Sequence, residues 1–260
     1  MTASVTLDRA VRLLREDSPP RRAPSTFVRE KCTTCRVSTL CLPGGLHDTD
    51  LRPLDALALT MRRVKAGRAV YADGDPFRFI YAVRRGTCKT TLTRPDGREQ
   101  VAGFHMAGEV MGLEGVACGI HATTAIALED SEICLIPYKR LVALTAASPG
   151  TKDLLMHLMS QEIVRDHSLM VLLGLTEAAA RLTAFLLDLS QRHAARGYSP
   201  REFHLRMTRG EIASFLGVTL ETISRTFSSF QRRGFIEVNL RHIRITDLEG
   251  LQREYDLRLR

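Results

Sequence analysis

Between residues 64 and 137 short β-type runs recur at residues 69–72, 79–83, 88–93, 101–104, 123–128 and 132–136. Asp73-Gly74, Arg85-Gly86, Pro95-Asp96-Gly97 and Ala107-Gly108 punctuate them. Short strands broken by glycine-bearing turns predict a compact antiparallel β-roll or barrel. The period then lengthens. From Ser148-Pro149 to about Leu175, Met156, Met159, Ile163, Met170 and Leu173 recur at three- and four-residue spacing, the a/d seam of a coiled coil. Asp166 occupies the seam position after Ile163 and breaks the apolar stripe. Buried against its own roll, Asp166 needs a partner; a homodimer seam explains the period better. A second amphipathic helix follows over 176–193, with Leu182, Phe185, Leu186 and Leu189 on one face.

After Gly197-Tyr198-Ser199-Pro200 the texture changes again. Thr208 and Glu211 form a capping box for a helix through Phe215, Gly217-Val218-Thr219 makes a tight turn, and a second helix runs from about Leu220 to Arg232, ended by Gly234. Two short helices around a glycine turn, then a hairpin over 235–245, predict a winged helix-turn-helix. The second helix presents Glu221, Ser224 and Arg225 on one face, while Ile223, Phe227 and Phe230 point back into the domain. A guanidinium at Arg225 matches O6 and N7 of guanine, and Glu221 can accept from the N4 amine of cytosine. The plainer alternative is a surface ion pair between Glu221 and Arg225.

Residues 1–28 hold a short helical candidate over 7–15 and then Ser18-Pro19-Pro20-Arg21-Arg22-Ala23-Pro24, which cannot continue a helix. Divided by texture, the 260 residues are a leader and cysteine loop (1–55), a β-roll (56–147), a dimerisation helix (148–175) and a winged helix-turn-helix (176–260). The fold class is α+β.

Charge sharpens this picture. The net charge is +8, and residues 206–244 carry seven arginines against three glutamates, the surplus expected of a face that binds double-stranded DNA. The longest apolar stretches, 169–173 and 185–187, are far short of the roughly 20 residues that span a bilayer. No membrane partner is expected. The start of the chain also lacks a secretory signal pattern, so the protein is expected in the cytoplasm, where thiols stay reduced. No nucleophile–base motif, phosphate-cradling loop or HExxH motif indicates an enzyme.

The stretch from Thr208 to Arg225, TRGEIASFLGVTLETISR, resembles the helix-turn-helix of the cyclic-AMP receptor and fumarate-nitrate reduction regulator superfamily, and the likeness extends over almost the whole chain from about Cys32. Residues 104–112, FHMAGEVMG, resemble the turn-rich core of that superfamily's roll. The resemblance implies a homodimer that reads a palindrome, with Thr208 and Arg209 joining Glu221, Ser224 and Arg225 at the DNA. It also implies contact with RNA polymerase, for which the Pro95-Asp96-Gly97 turn is the matching loop; taken alone that segment is a hairpin turn.

Cys32, Cys35 and Cys41 give C-x2-C-x5-C in a loop before Leu42-Pro43-Gly44-Gly45. Three thiolates leave a four-cysteine site incomplete, and the CxxC alone is equally half of a zinc site. The resemblance points to the oxygen-sensing fumarate-nitrate reduction branch, which carries this triplet. By position in that pattern the fourth ligand is Cys134, implying a [4Fe-4S] cluster. Cys88 reads as a strand residue, and Cys118, on a turn, is the less favoured fourth ligand. Arg36 stands where a small residue is expected. The branch that binds cyclic nucleotides holds the phosphate with an Arg-Ser pair; Gly119-Ile120-His121-Ala122-Thr123-Thr124 has no obligate cation there, so no cyclic nucleotide is expected. His105 and His121 read as surface or core residues rather than haem ligands.

The expected function is oxygen-responsive transcription regulation in which the cluster controls dimerisation and binding to TTGAT-type half-sites. The alternatives are a thiol or zinc regulator of the same fold and an iron-sulfur electron carrier.

Overall fold

The computed structural model describes residues 28–41, 54–55, 57, 59–146 and 148–258. The candidate helix at 7–15 and the turn at 42–45 lie outside them.

Two antiparallel sheets form the roll. One has the strand order β1-β2-β9-β4-β7, from β1 (Val28–Glu30), β2 (Leu59–Val64), β4 (Phe79–Arg85), β7 (Val110–Met111) and β9 (Ser131–Pro137). The other has the order β3-β8-β5-β6, from β3 (Ala69–Tyr71), β5 (Thr87–Thr93), β6 (Glu99–Met106) and β8 (Thr124–Ala127). The predicted runs are therefore strands, and the Pro95-Asp96-Gly97 turn joins β5 to β6. Val83, Cys88, Ala125, Ala127 and Ile133 are fully buried between the sheets. Three strands of the roll were not legible: β1 falls at the end of the supposed leader, β2, LTMRRV, has paired arginines interrupting its apolar alternation, and β7 is only two residues long.

Within the described roll lie two short helices, α2 (Gly115–Cys118) and α3 (Tyr138–Thr145). Another, α1 (Ser38–Cys41), ends the cysteine loop. The long helix α4 (Pro149–Gly174) starts where Ser148 caps it, its hydroxyl accepting from the Thr151 amide at 3.3 Å, with proline at the first helical position. Leu154 and Leu158 pack into the roll core. Farther along, Met156, Ile163, Val164, Met170 and Val171 are exposed, as is Asp166. Met159 differs from its seam neighbours: it is half-buried against the roll core.

Helix α5 (Ala178–Ala195) begins two residues later than its pattern suggested and leads to β10 (Glu202–His204), α6 (Arg209–Leu216), α7 (Leu220–Arg232), β11 (Ile236–Asn239), β12 (His242–Ile245) and α8 (Leu248–Arg258). The wing is three-stranded, in the order β10-β12-β11. One core joins Leu182, Leu186, Ile212, Leu216, Ile223, Phe230 and Ile243, and it extends into the roll through Val101 and Phe104. No described helix is long and apolar enough to cross a membrane.

Candidate functional sites: a cysteine pocket and a DNA-reading helix

Cys32, Cys35, Cys41 and Cys134 line one small pocket, together with Leu59, Met61, Ala82, Val83 and Ile136. Local backbone bonds shape its near wall: the Cys35 amide donates to the Cys32 carbonyl at 3.1 Å, and the Cys41 amide to Val37 at 2.8 Å. Cys134 comes from the middle of the first sheet, opposite Met61 on β2 and Ala82 on β4. All four thiols are partly buried. Burial raises the Cys32 thiol well above its ordinary range, with the neighbouring Cys134, Cys41, Asp55 and Cys35 adding to the effect. Burial likewise pushes the Cys41 thiol up to about 12, aided by Cys134 and Cys35. Such a pocket favours thiolates only when a positive group shares it. Cys118 is exposed on α2, and Cys88 is buried inside the roll with its thiol pushed up to about 12 by burial. Neither lines the pocket. Among the described residues no three His, Cys, Asp or Glu side chains converge on a position suited to one metal ion. Arg36 is exposed beside the second cysteine.

In the roll interior, the stretch compared with a phosphate site holds His121, fully buried and stacked on Tyr71 at 4.1 Å between ring centres, with Phe77 and Tyr81 also against it. Glu114 lies 2.8 Å from the Thr123 hydroxyl and 3.4 Å from His121 Nδ1. The Glu114 carboxylate faces this interior, and Arg62 approaches it from β2, its guanidinium donating to the Val70 carbonyl. His105 is also a core residue: Nε2 is 3.1 Å from the Thr90 hydroxyl and Nδ1 3.3 Å from Arg165 Nη1, and burial followed by the Arg165 charge lowers its pKa to about 3.

The helix-turn-helix is built by its own caps. Thr208 Oγ1 accepts from the Glu211 amide at 3.2 Å while the Glu211 carboxylate accepts from the Thr208 amide at 2.7 Å, closing the capping box. Gly217 ends α6 at φ +64°, a left-handed position that costs a side chain about 1 kcal/mol or more. Thr219 caps α7 through the Thr222 amide at 3.1 Å. Ile223, Phe227 and Phe230 are buried beneath α7, and Glu221, Ser224 and Arg225 project from its exposed face. Glu221 and Arg225 approach to 3.4 Å with both side chains over 70% exposed, so this ion pair contributes little to stability. Thr208 is exposed. Arg209 is half-buried, its guanidinium 3.1 Å over the Phe227 ring, and burial lowers its pKa to about 10. The hairpin cations Arg241 and Arg244 are exposed.

Several contacts that orient this domain have no local sequence signal. Arg181 on α5 donates to the carbonyls of Leu175 at 2.8 Å, Leu216 at 2.8 Å and Gly217 at 3.3 Å, tying the end of the long helix to the helix-turn-helix. Lys89 on β5 lies 2.8 Å from Glu211, and the Val101 amide donates to the Ser214 hydroxyl at 3.0 Å, docking α6 on the roll. Glu109 is held by Arg192 of α5 and by Arg196 at its C-cap, each at 2.6 Å, with Arg165 of α4 at 3.8 Å.

Family models agree with this layout: the cyclic nucleotide-binding domain model matches residues 61–148, and the Crp-like helix-turn-helix domain model matches residues 180–254. The transcriptional regulatory protein btr of Bordetella pertussis (strain Tohama I) is 42% identical over 232 residues, 89% of this chain and 96% of that protein. The fumarate and nitrate reduction regulatory protein of Escherichia coli (strain K12) is 39% identical over 231 residues, 89% of this chain and 92% of that protein. Among solved structures, FixK2 from Bradyrhizobium japonicum aligns with a TM-score of 0.70 at 27% identity, over 76% of this chain and 97% of that one. With relatives at this identity over nearly their full lengths, the chain belongs to the fumarate and nitrate reduction regulator branch of the cyclic-AMP receptor superfamily, and it is a DNA-binding transcription regulator rather than an enzyme.

Proposed function

We propose that the chain is an oxygen-responsive regulator in which Cys32, Cys35, Cys41 and Cys134 hold a [4Fe-4S] cluster that governs homodimerisation and binding to palindromic TTGAT-type sites. The observation that carries this reading is the convergence of these four thiols, and neither of the other two, on one pocket. The all-sulfur donor set and apolar walls fit the group. When bound, the cluster supplies an oxygen-labile redox centre. A zinc ion held by the same four thiols is the nearest rival.

Met156, Ile163 and Met170 provide an apolar seam for a second copy, with Asp166 facing its own counterpart across the dyad. Like charges there oppose dimerisation until the helices are repositioned. Arg225 and Glu221 read bases, with Ser224, Thr208 and Arg209 completing the contact. No cyclic nucleotide takes part in this reading. Contact of the Pro95-Asp96-Gly97 turn with RNA polymerase and a cytoplasmic location complete the reading.

Anaerobic purification followed by visible spectroscopy and iron and sulfide analysis tests it. Alanine at Cys32, Cys35, Cys41 or Cys134 is expected to abolish cluster retention, and alanine at Cys88 or Cys118 to preserve it. Zinc in place of iron and sulfide refutes the proposal; a full cluster in Cys134→Ala with loss in Cys118→Ala reverses the fourth ligand.

A further inference from the structure

The hairpin beside the recognition helix turns through Leu240, between β11 and β12. Leu240 is 89% exposed, more than any other large apolar side chain among the described residues. Its φ of +56° is also the only left-handed backbone angle among the described residues other than glycine. Glycine, asparagine or aspartate fills such a turn position at lower cost. The flanking ladder fixes the tip in place: Asn239 pairs with His242 and Val238 with Ile243, and Ile243 and Phe203 are buried beneath. The chain thus holds a strained, wholly wetted leucine on a rigid support, a combination that folding alone does not reward.

The surroundings indicate what covers it. Arg241 and Arg244 are exposed on the hairpin and Arg206 beside it, and Arg241 Nη1 donates to the Arg206 carbonyl at 3.2 Å. Arg244 and Arg206 have carboxylates at 3.3–3.4 Å, Glu237 and Glu129, and those side chains are only partly covered. An apolar point ringed by guanidinium groups suits a partner with an anionic rim and an apolar interior. The DNA minor groove is such a surface, with phosphates along both edges and sugars and base edges between. The hairpin also packs on the far half of the recognition helix: Phe230 meets Phe235 edge-on at 5.9 Å between ring centres, and Gln231 donates to the Val238 carbonyl at 3.5 Å. With Glu221, Ser224 and Arg225 in the major groove, the tip falls toward the backbone and minor groove beside the half-site.

We propose that Leu240 makes an apolar contact in the minor groove flanking each half-site, with Arg241 and Arg206 on the adjacent phosphates. The contact extends the footprint of the protein beyond the bases that α7 reads.

The test uses full-length protein kept free of oxygen and a palindrome recovered from a random-sequence pool by the wild type, so that recognition by α7 is already secured. One duplex ends at the outer edge of the half-sites and another carries ten further base pairs on each side. On the long duplex Leu240→Gly is expected to bind about 5- to 20-fold more weakly than wild type, and Leu240→Met to stay within about twofold. On the short duplex all three proteins are expected to bind within about twofold of one another. Thermal unfolding of Leu240→Gly is expected at or above the wild-type temperature, because glycine relieves the left-handed backbone. Equal long-duplex binding by wild type and Leu240→Gly overturns the proposal, and so does an equal loss on both duplexes. Leu240→Lys separates an apolar contact from a phosphate contact: weaker binding than wild type is expected, and binding as tight or tighter overturns the apolar role.

Discussion

Removing the negative charge of Glu109 while keeping its shape, in Glu109→Gln, is expected to destabilise the protein by about 3 kcal/mol at pH 7. The carboxylate accepts from Arg192 Nε at 3.0 Å and Nη2 at 2.6 Å, from Arg196 Nη2 at 2.6 Å and from the Met106 amide at 3.0 Å. Arg165 stands 3.8 Å away. Although burial opposes ionisation, the charges of Arg192, Arg165 and Arg196 prevail and hold the group at about 2, against an ordinary 4.5. At about 1.4 kcal/mol per pH unit that difference corresponds to about 3 kcal/mol. Breaking a buried ion pair from one side costs about 3–5 kcal/mol, which agrees. Because the folded-state pKa is depressed, the contribution is fully present above pH 4.5 and is lost as pH falls toward 2. The gap between wild type and Glu109→Gln should therefore be constant from pH 7 to 5 and shrink to about 1.4 kcal/mol by pH 3. Urea unfolding of the metal-free proteins, followed by circular dichroism across this range, measures it. A difference under 1 kcal/mol at pH 7, or one that grows on acidification, refutes the reasoning.

Arg225→Ala is expected to cost about 1–3 kcal/mol of specific DNA binding and to relax the preference for guanine, with Glu221→Ala relaxing that for cytosine, both read by binding to variant half-sites. Arg241→Ala and Arg244→Ala are expected to weaken all sequences alike, in the same assay, through lost phosphate contacts. Asp166→Ala is expected to dimerise and bind its palindrome in air, and Ile163→Ala to weaken dimerisation without oxygen; sedimentation of the cluster-free proteins checks the first and of the anaerobic proteins the second, and a cluster-free wild type that is already dimeric and indifferent to Asp166→Ala contradicts the reasoning.

The parts legible in the sequence are those whose causes are local. The capping box at Thr208 and Glu211, the left-handed turn at Gly217 and the buried spacing of Ile223, Phe227 and Phe230 lie within about 20 residues, and the helix-turn-helix follows from them. The roll was legible as strands and turns, but not its closure by β1 and β2. Helix α8 was missed because its surface is charged; its anchors are Leu251, fully buried, and Glu254, paired with Arg233 at 2.6 Å. The cysteine triplet is a local motif, whereas Cys134 depended on the family likeness, since only the fold brings β9 to the loop. The pairs Lys89 with Glu211 and Glu109 with Arg192 join residues 122 and 83 positions apart, beyond the reach of any periodicity.

Under the proposed function, these long-range contacts are the route by which the cysteine pocket would reach the long helix and the helix-turn-helix. Cys32, Cys41 and Cys134 pack on the core that also holds Leu154, Leu158 and Met159 of α4, so the pocket and the first turns of the long helix share one set of side chains. The cysteine loop touches a second point. A Cβ placed on Gly108 would lie 2.5 Å from Cβ of Leu40, so α1 sits directly on the turn that presents Glu109. Glu109 in turn holds Arg165 at the middle of α4 and Arg192 and Arg196 near the end of α5. Displacing α1 therefore acts on the long helix at two separated places, its first turns and Arg165, and two restraints along one rod fix its rotation as well as its position. Under the proposed function, rotation sets how closely Asp166, on the same stripe as Ile163, faces its counterpart in a second copy. At the far end, the Arg181 bonds to Leu175, Leu216 and Gly217 carry the orientation of α4 into the helix that sets Arg225. Under the proposed function, Arg181→Met should thus leave cluster retention and dimerisation intact while lowering DNA affinity, and an affinity equal to wild type in an anaerobic binding assay would remove this link from the chain of contacts.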